Sequence, residues 1–516
     1  ISTGTSLFNP EHLTACKEAG KKVSSGVCNV LLGATAGKEM TTGRDNVAVG
    51  FNTLGAEATC TGSYNIAIGS RSLEDNTSGY NNIAIGHNAL DANSTGFNHT
   101  AIGYEALSAN TTSNSNTAIG YRCMYLNTTG GANVAVGGGA LRDLNGGNYN
   151  TAIGESAGLE ITTGSYNTFA GHLASSDNTT GQRNSTYGAY AGEKTTTGSY
   201  NTALGGWALQ TNTTSSYNTA IGYYALQLAT QPYQVAVGYT SLAACTTGQA
   251  NTAIGFRAGQ ALTTGEANVF VGYDAGYNHT TASYCVKIGR NSAYSATDDS
   301  NIIALGYQAA YNLTAGTSIN IGYNSGYDHT SCHTNICIGD NTDSNSGNNA
   351  GGHTAFIIGH NSKRSGENYN EGVIGNSATG VGSNKCMIYW SNVYNGGNTT
   401  AWSQTSDRRI KKNIVDNTTG LEKINQIRVR NFEYRNKDEI AAEATEWTDN
   451  QLDAAVVEKE GTQLGIIAQE IEDILPDVIT ENDFGLKTLD ADNMTWYLVN
   501  AIKELSNKND ALEARL

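Results

Sequence analysis

Proline is almost missing from this chain, with three residues in 516, while glycine contributes 61. Collagen-like and proline-rich disordered chains need far more proline, so the glycine serves another architecture. The nine cysteines are odd in number and include no Cys-x-x-Cys pair, which argues against a disulfide framework and indicates a reducing compartment of synthesis. No apolar run approaches the length of a membrane-spanning helix. We therefore expect no membrane insertion.

Charged residues are scarce over most of the chain and are concentrated at its end. Residues 403–516 hold 37 of the 76 charged side chains, as 14 Lys or Arg and 23 Asp or Glu. This change in composition predicts a domain boundary near residue 403. The formal net charge of −16 argues against nucleic acid or an anionic membrane surface as a partner.

A short repeat accounts for the glycine. The string Asn-Thr-Ala-Ile-Gly occurs at 116–120, 150–154, 218–222 and 251–255, and looser copies fill the intervals. From Gly69 to Gly222 the closing glycine returns every 17 residues, and later intervals change mostly by one. A fixed period of this kind is the signature of a solenoid. The sequence therefore predicts a mainly β fold, a parallel β-solenoid or β-roll of about 17-residue coils.

Each unit predicts one coil made of two turns and two short strands. Alternation along the strand places Thr, Val or Ile on one face and Ala with the closing Gly on the other. The Asn that opens each unit is expected to stack on the Asn of the next coil as a ladder. Because each coil holds few large apolar side chains, the core is thin, and we expect the Ala/Gly face to let another chain approach closely in an oligomer.

The Asn-x-Ala-Ile-Gly unit resembles the head repeats of trimeric autotransporter adhesins and the repeat shafts of bacteriophage tail fibres. The resemblance implies coils that assemble as a trimer. The chain then divides into an N-terminal segment (1–28), expected to continue from a preceding virion-attachment part, a shaft (29–380), a strand-rich neck (381–405) and a C-terminal domain (406–516).

Residues 491–516 are predicted to form a closing helix with an apolar seam. The seam repeats in steps of three and four residues, which is heptad spacing, and Asn509 falls in the same register. A short heptad run is also typical of an amphipathic helix packed on its own domain. The need of the thin shaft for partners favours a coiled coil. The seam consists of Leu498, Ile502, Leu505, Leu512 and Leu516.

The sharpest local motif is Thr405-Ser406-Asp407-Arg408-Arg409-Ile410-Lys411-Lys412-Asn413. It resembles the entry motif of the endosialidase-type intramolecular chaperone and auto-peptidase domain of phage tail spikes and fibres. Gly465-Ile466-Ile467-Ala468-Gln469-Glu470, Pro476 and the closing helix fit the same family in order. The resemblance implies a small α+β domain that trimerises, guides folding of the shaft and cuts itself off between Thr405 and Ser406. It also implies Ser406 as nucleophile and Lys411 as general base.

The residue types allow the same chemistry. A serine hydroxyl needs a nearby base to become nucleophilic. All nine histidines lie at or before His360, so lysine is the available base in the C-terminal domain. Its pKa must then be lowered by burial or by neighbouring cations such as Arg408, Arg409 and Lys412. The alternative is that Ser406 caps a helix before a solvated basic turn.

Other candidate sites in the shaft are weaker. Cys332, His333 and Cys337 lack a fourth metal ligand, so we expect no metal, and no cofactor is expected either. An aromatic stripe recurs one coil apart, and it either stacks on itself or binds sugar rings. The stripe consists of Tyr223, Tyr239, Phe256 and Tyr273.

Composition and resemblance together predict a structural viral protein, a trimeric tail fibre of a phage virion that is made in the host cytoplasm and serves host attachment. Expected partners are two further copies of the chain, a host cell-surface glycan or protein receptor, and other virion tail proteins. One alternative is a bacterial trimeric surface adhesin. Another is a polysaccharide-degrading tailspike, although no carboxylate pair for glycoside hydrolysis stands out in the repeats. Serine-type autoproteolysis is the only enzymatic activity expected.

Overall fold

The structure, a computed structural model, describes residues 12–55, 59–330, 334–343, 354–365, 370–389, 412–445, 447, 452, 457, 460–481 and 486–515. The chain forms two units, Ile1–Trp390 and Ser391–Leu516, and each is described by itself. Within the described ranges, no helix combines the length and the apolar character needed to cross a membrane.

A single parallel sheet of 23 short strands runs through the first unit. Each strand pairs with the strand of the next coil, as in the register Thr117↔Val134. The sheet includes strands in the segments expected as an N-terminal piece and a neck. The strands are His12–Ala15 (β1), Asn29–Leu32 (β2), Val47–Val49 (β3), Ile66–Ile68 (β4), Ile83–Ile85 (β5), Thr100–Ile102 (β6), Thr117–Ile119 (β7), Val134–Val136 (β8), Thr151–Ile153 (β9), Thr168–Ala170 (β10), Ser185–Tyr187 (β11), Thr202–Leu204 (β12), Thr219–Ile221 (β13), Val235–Val237 (β14), Thr252–Ile254 (β15), Val269–Val271 (β16), Val286–Ile288 (β17), Ile303–Leu305 (β18), Ser318–Ile321 (β19), Asn335–Ile338 (β20), Ala355–Ile358 (β21), Glu371–Gly375 (β22) and Cys386–Tyr389 (β23).

The parallel solenoid with coils of about 17 residues is confirmed, but the expected second strand in each coil is wrong. The rest of each described coil consists of turns. In the coil after β5, for example, Asn88 and Leu90 have φ of 55° and 53°. These left-handed conformations lie outside the region that a strand requires. One strand per coil therefore forms the sheet, and backbone hydrogen bonds between turns, such as that from the N–H of Leu90 to the carbonyl oxygen of Ala106 at 3.0 Å, also join successive coils.

The residues alternate along each strand as predicted, but the alanine face has a different role from the one we expected. In β7 the central Ala118 is fully buried, while Thr117 and Ile119 are half-buried on the outer face. Ala118 belongs to the same core cluster as the turn residues Leu107 and Met124. The predicted alternation is therefore confirmed. The expectation that the alanine face receives another chain is wrong, because the turns of the coil itself cover that face.

The closing glycine is required by a close approach between successive coils. Gly120 has φ of 141°, and a Cβ built on it would lie 2.4 Å from the carbonyl oxygen of Gly137. An L side chain rarely adopts that φ and has no space there. One coil is therefore 17 residues long, because this spacing places each closing glycine against the closing glycine of the next coil.

The predicted asparagine ladder is confirmed inside the coils. The Nδ2 of Asn116 donates to the carbonyl oxygen of Gly130 at 2.8 Å, and its Oδ1 accepts the backbone N–H of Asn133 at 2.9 Å. Asn116 and Asn133 are both fully buried. Each rung thus satisfies backbone groups at two turns that water cannot reach, which a smaller or apolar side chain would leave unpaired.

The second unit contains short helices and two antiparallel strand pairs among its described residues. The helices are Leu421–Ile424 (α1), Lys437–Glu443 (α2), Ala468–Glu472 (α3) and Ala491–Glu513 (α4), with a 3₁₀ turn at Pro476–Val478. Arg430–Phe432 (β24) pairs with Gln463–Gly465 (β25), and Ile479–Glu481 (β26) pairs with Lys487–Leu489 (β27). The predicted closing helix is therefore present, as Ala491–Glu513.

The long helix α4 has two different faces. Tyr497 and Ala501 are buried, and Tyr497 packs with Ile471, Leu475 and Val478 of the small core. The predicted seam lies exposed on this chain, with Leu498, Ile502, Leu505 and Leu512 at 44%, 67%, 57% and 60% exposure. Leu516 lies outside the described residues. An amphipathic helix packed only on its own domain would bury its apolar stripe, so these values argue against that alternative for the single chain.

Candidate functional site

The predicted cleavage residues Thr405, Ser406 and Lys411 lie outside the described residues, so their roles stay predictions. The described chain resumes at Lys412, immediately after the motif's proposed base. Residues 412–420, here called the arm, have no helix or strand. Their side chains up to Thr419 are exposed, including Ile414 and Val415. The arm is therefore the described segment that lies nearest to the candidate site along the chain.

The end of the arm is held by one residue of α4. The Nδ2 of Asn500 donates to the carbonyl oxygen of Asn417 at 2.8 Å and to that of Thr419 at 3.3 Å. These contacts join residues 83 and 81 positions apart in the sequence. A single carboxamide thus links two alternate backbone carbonyls of the arm to the long helix.

A carboxylate one turn further along α4 holds the residue that follows the arm. Glu504 Oε2 accepts the backbone N–H of Leu421, the first residue of α1, at 3.2 Å. A carboxylate at a helix N-terminus satisfies an amide that has no partner within the helix. Between these anchors Gly420 is buried against α4, where a Cβ would lie 2.6 Å from the backbone nitrogen of Ala501. Only glycine allows this approach.

Further contacts fix α4 and the strands beside it. The hydroxyl of Tyr497 donates to Asp477 Oδ2 at 2.5 Å, and this hydrogen bond raises the pKa of the tyrosine. Arg430 of β24 donates to both carboxylate oxygens of Glu470 on α3, at 2.7 and 3.1 Å. The helix α4, which binds the arm, is therefore fixed by the apolar core of this unit and by the hydrogen bond from Tyr497 to Asp477.

A family comparison identifies this part of the chain. Residues 406–480 match the family described as chaperone of endosialidase. The match begins at Ser406 and runs through α1 to β26, and the arm lies within it. No curated protein matches the chain at a significant level. A domain of the endosialidase-chaperone type therefore follows a β-solenoid shaft.

One polar cluster in the shaft was not predicted from the sequence. Asp343 accepts hydrogen bonds from His329 Nε2 at 2.7 Å and from Arg364 Nε at 2.6 Å, and all three side chains are buried. Burial alone would raise the pKa of Asp343, but the hydrogen bond from His329 and the Arg364 guanidinium lower it below its ordinary value. Cys337 lies within 4.8 Å of the His329 and Asp343 ligand atoms. His329 and Arg364 thus donate to the same carboxylate oxygen, and Asp343 forms a buried ion pair with Arg364.

A second unpredicted group surrounds Lys287, which stands at the centre of β17. Its Nζ donates to Nδ1 of His279 at 2.7 Å, and Nε2 of His279 donates to the carbonyl oxygen of Ala282 at 3.1 Å. Burial lowers the pKa of Lys287 to about 8. Burial and the Lys287 charge lower that of His279 to about 2. The sequence does contain a sign of this group, because an alignment of the repeats places Lys287 where most other strands carry Ala.

The aromatic stripe is stacked on itself. Ring centroids of Tyr223, Tyr239, Phe256 and Tyr273 follow one another at 5.9, 5.3 and 4.9 Å, with planes inclined by only 3° to 13°. Neighbouring rings therefore cover each other's faces, and the stripe presents ring edges outward. Since sugar stacking uses ring faces, this geometry favours the self-packing interpretation over the sugar-binding one.

Proposed function

We propose that the protein is a homotrimeric tail fibre of a phage virion, with a shaft for host attachment and a C-terminal self-cleaving chaperone that drives trimerisation and folding. The observation that carries the proposal is the chaperone-of-endosialidase match at 406–480, which lies C-terminal to a long parallel β-solenoid in the sequence. A long parallel sheet forms slowly and is exposed to aggregation while it forms. A chaperone domain on the same chain assists the slow formation of the sheet and limits its aggregation.

Two exposed apolar surfaces support trimerisation. One is the seam of α4, and the other is the outer face of the shaft strands, where Ile68, Ile153 and Ile254 are 39%, 50% and 42% exposed. Contiguous exposed apolar surface on a soluble protein marks an interaction site.

Light scattering of the full chain is expected to give three copies, and a stable folded monomer or dimer would overturn the trimer. A chain lacking residues 406–516 is expected to aggregate, whereas a soluble trimeric shaft would overturn the chaperone role.

The proposed cleavage is an acyl transfer followed by hydrolysis. The Ser406 hydroxyl oxygen attacks the Thr405 carbonyl carbon while the Lys411 amine accepts the hydroxyl proton. The Thr405–Ser406 peptide bond then breaks, and its nitrogen takes up the proton, leaving an ester. Water hydrolyses the ester and yields a Thr405 carboxylate and a free Ser406 amine. The chemistry requires no cofactor and no metal.

Sequencing of the new N-terminus after incubation of the wild-type trimer tests the cleavage. A fragment that begins at Ser406 is expected, and a chain that stays intact would show that the motif serves folding alone. Ser406→Ala and Lys411→Ala should give uncleaved trimers, because the first lacks the nucleophile and the second the base. Lys412→Ala is the matched control and should cleave nearly normally, since the exposed Lys412 is neither the nucleophile nor the base. Loss of cleavage in this variant alone would show that Lys412 is the base.

Location and partners are tested on particles and on host cells. Mass spectrometry of purified virions should detect the shaft alongside other tail proteins, and the purified shaft should bind a glycan or protein receptor on the host surface. Recovery of the protein from a bacterial surface instead would favour the trimeric adhesin. Release of saccharide fragments from host polysaccharide would favour the degrading tailspike.

A further inference from the structure

A buried polar cluster joins two successive coils of the shaft. His329 lies in the turns after β19, Cys337 lies in β20, and Asp343 lies in the turns after β20. One ligand atom from each lies within 4.8 Å of the other two, and all three residues are buried. Cys332 and His333, the other metal candidates in the sequence, lie outside the described residues. The fold thus places beside Cys337 two potential ligands that the repeat pattern does not single out.

The three donor types suit a zinc ion. Imidazole nitrogen, thiolate sulfur and carboxylate oxygen are the atoms that zinc binds in proteins, at about 2.0 to 2.3 Å. Around a tetrahedral ion such atoms lie roughly 3 to 4 Å apart, so displacements of about 1 Å bring this set around one ion. Calcium and magnesium prefer oxygen ligands and would not select the thiolate. The mixture of donors therefore favours zinc.

Two unpartnered atoms beside the cluster point to the same ligand. Among the described residues, Nδ1 of His329 and Oδ1 of Asn320 are buried and have no hydrogen-bond partner. Both face Gly326, where a Cβ would lie 3.0 Å from the first atom and 2.2 Å from the second. The Nε2 of His329 donates to Asp343. An ion that replaced this proton would leave the ring proton on Nδ1, from where it can be donated to Oδ1 of Asn320, so a bound ion gives partners to both atoms.

The carboxylate of Asp343 is fixed by Arg364. Its Oδ1 accepts the backbone N–H of Arg364 at 3.2 Å, and its Oδ2 accepts the Nε–H at 2.6 Å. A carboxylate offers about four lone-pair sites, so Asp343 can keep both hydrogen bonds and still bind an ion. A coordinated thiol is deprotonated, and the charge of a Cys337 thiolate offsets the guanidinium beside the ion. Removal of Cys337 should therefore abolish binding.

We propose that His329, Cys337 and Asp343 bind a zinc ion that joins the coils of β19 and β20. Asn320 is the acceptor that orients the His329 ring. The fourth ligand of the tetrahedral ion is water or a further donor. The role is structural, because the ion lies where the apolar core is interrupted: among the described residues, one apolar cluster ends at Leu313 and the next begins at Cys337.

The zinc content of the full-length protein, expressed with zinc in the medium, tests the site. The wild type should retain about one zinc per chain after gel filtration, and Cys337→Ala should lose it. Cys123→Ala is the matched control, because both cysteines are buried and other coils carry Ala at each of these positions of the repeat. A wild-type protein without zinc would overturn the proposal. Equal zinc in the two variants would mark the ion as adventitious and would overturn it too.

Asn320→Ala separates orientation from ligation. Ala304 pairs with Asn320 in the sheet, so the change introduces the residue of the preceding strand. Zinc binding should weaken by about 10- to 100-fold, measured as the chelator concentration that removes the ion. Unchanged retention of zinc would overturn the orienting role of Asn320.

X-ray absorption at the zinc edge of the wild-type protein decides the ligand set even where a variant does not fold. The spectrum should show one sulfur neighbour at about 2.3 Å and nitrogen or oxygen neighbours at about 2.0 Å. A zinc ion without a sulfur neighbour would overturn the assignment, and so would one with two or more.

Discussion

The backbone N–H of Asn116 donates to Nδ1 of His99, which lies 17 residues earlier, at 3.2 Å. The other ring nitrogen, Nε2, donates to the carbonyl oxygen of Ser113 at 2.8 Å. His99 therefore makes both hydrogen bonds that an asparagine makes elsewhere in the ladder. This use of both nitrogens requires the neutral ring, and burial lowers the pKa of His99 to about 4.

Acid is expected to loosen the coils around His99. Its folded pKa of about 4 lies below the ordinary value of 6.5, so between these pH values the unfolded chain binds a proton that the folded chain does not. Stability therefore falls as the pH drops from about 6.5 to 4, by up to about 3 kcal/mol. His99→Asn should abolish this loss, as measured by hydrogen exchange of β6 and β7 across that range. Equal acid sensitivity in both proteins would contradict the assignment.

Gly120→Ala is expected to disrupt the coils on either side of it, at a cost of at least about 2 kcal/mol. The reasons are the left-handed φ of Gly120 and the 2.4 Å approach of its Cβ to Gly137. Gly138→Ala is the control, because a Cβ there meets no atom within 4 Å. Thermal unfolding and trypsin sensitivity of the two variants should differ clearly. Equal stability of both would refute the close-approach argument.

Lys287 is expected to destabilise the shaft at neutral pH. Lowering its pKa from 10.5 to about 8 corresponds to about 3 kcal/mol. Between those values the unfolded chain holds a proton that the folded chain has lost, so stability should rise with pH across this window. The double variant Lys287→Met/His279→Leu removes both polar groups and should unfold at a higher temperature, without that rise.

Lys194→Met serves as the control for the lysine variant because Lys194 is exposed. It should leave the unfolding temperature and its pH dependence unchanged. A lower unfolding temperature for the double variant would indicate that the buried amine stabilises the coil instead.

Leu505→Asp is expected to weaken assembly, since it places a charge in the exposed seam of α4. Ser506→Asp changes the neighbouring exposed residue on a different side of the helix and should assemble normally. Sedimentation at several concentrations gives the fraction of trimer for each. Identical association of the two variants would remove the seam from the proposed interface.

The coil period could be predicted from the sequence because each coil closes on the next at fixed offsets. The Asn116 side chain reaches Gly130 and Asn133, 14 and 17 residues ahead, and the closing glycine has no substitute where coils touch. The second strand could not be excluded in the same way. Leu107 has a φ of 54°. Leucine rarely adopts this left-handed conformation, so the residue type does not indicate a turn there.

The sequence by itself determined the 17-residue coil, the buried asparagine ladder and the resemblance of the last residues to a chaperone, because these depend on local or regularly repeated spacings. Only the tertiary structure decided that the alanine face is closed inside the coil, that His329 meets Asp343 and Arg364, and that Asn500 holds Asn417 across 83 residues. Such contacts do not recur at a fixed spacing along the sequence. They depend on how the intervening chain packs, and that packing is settled by the burial and hydrogen bonding of many residues together.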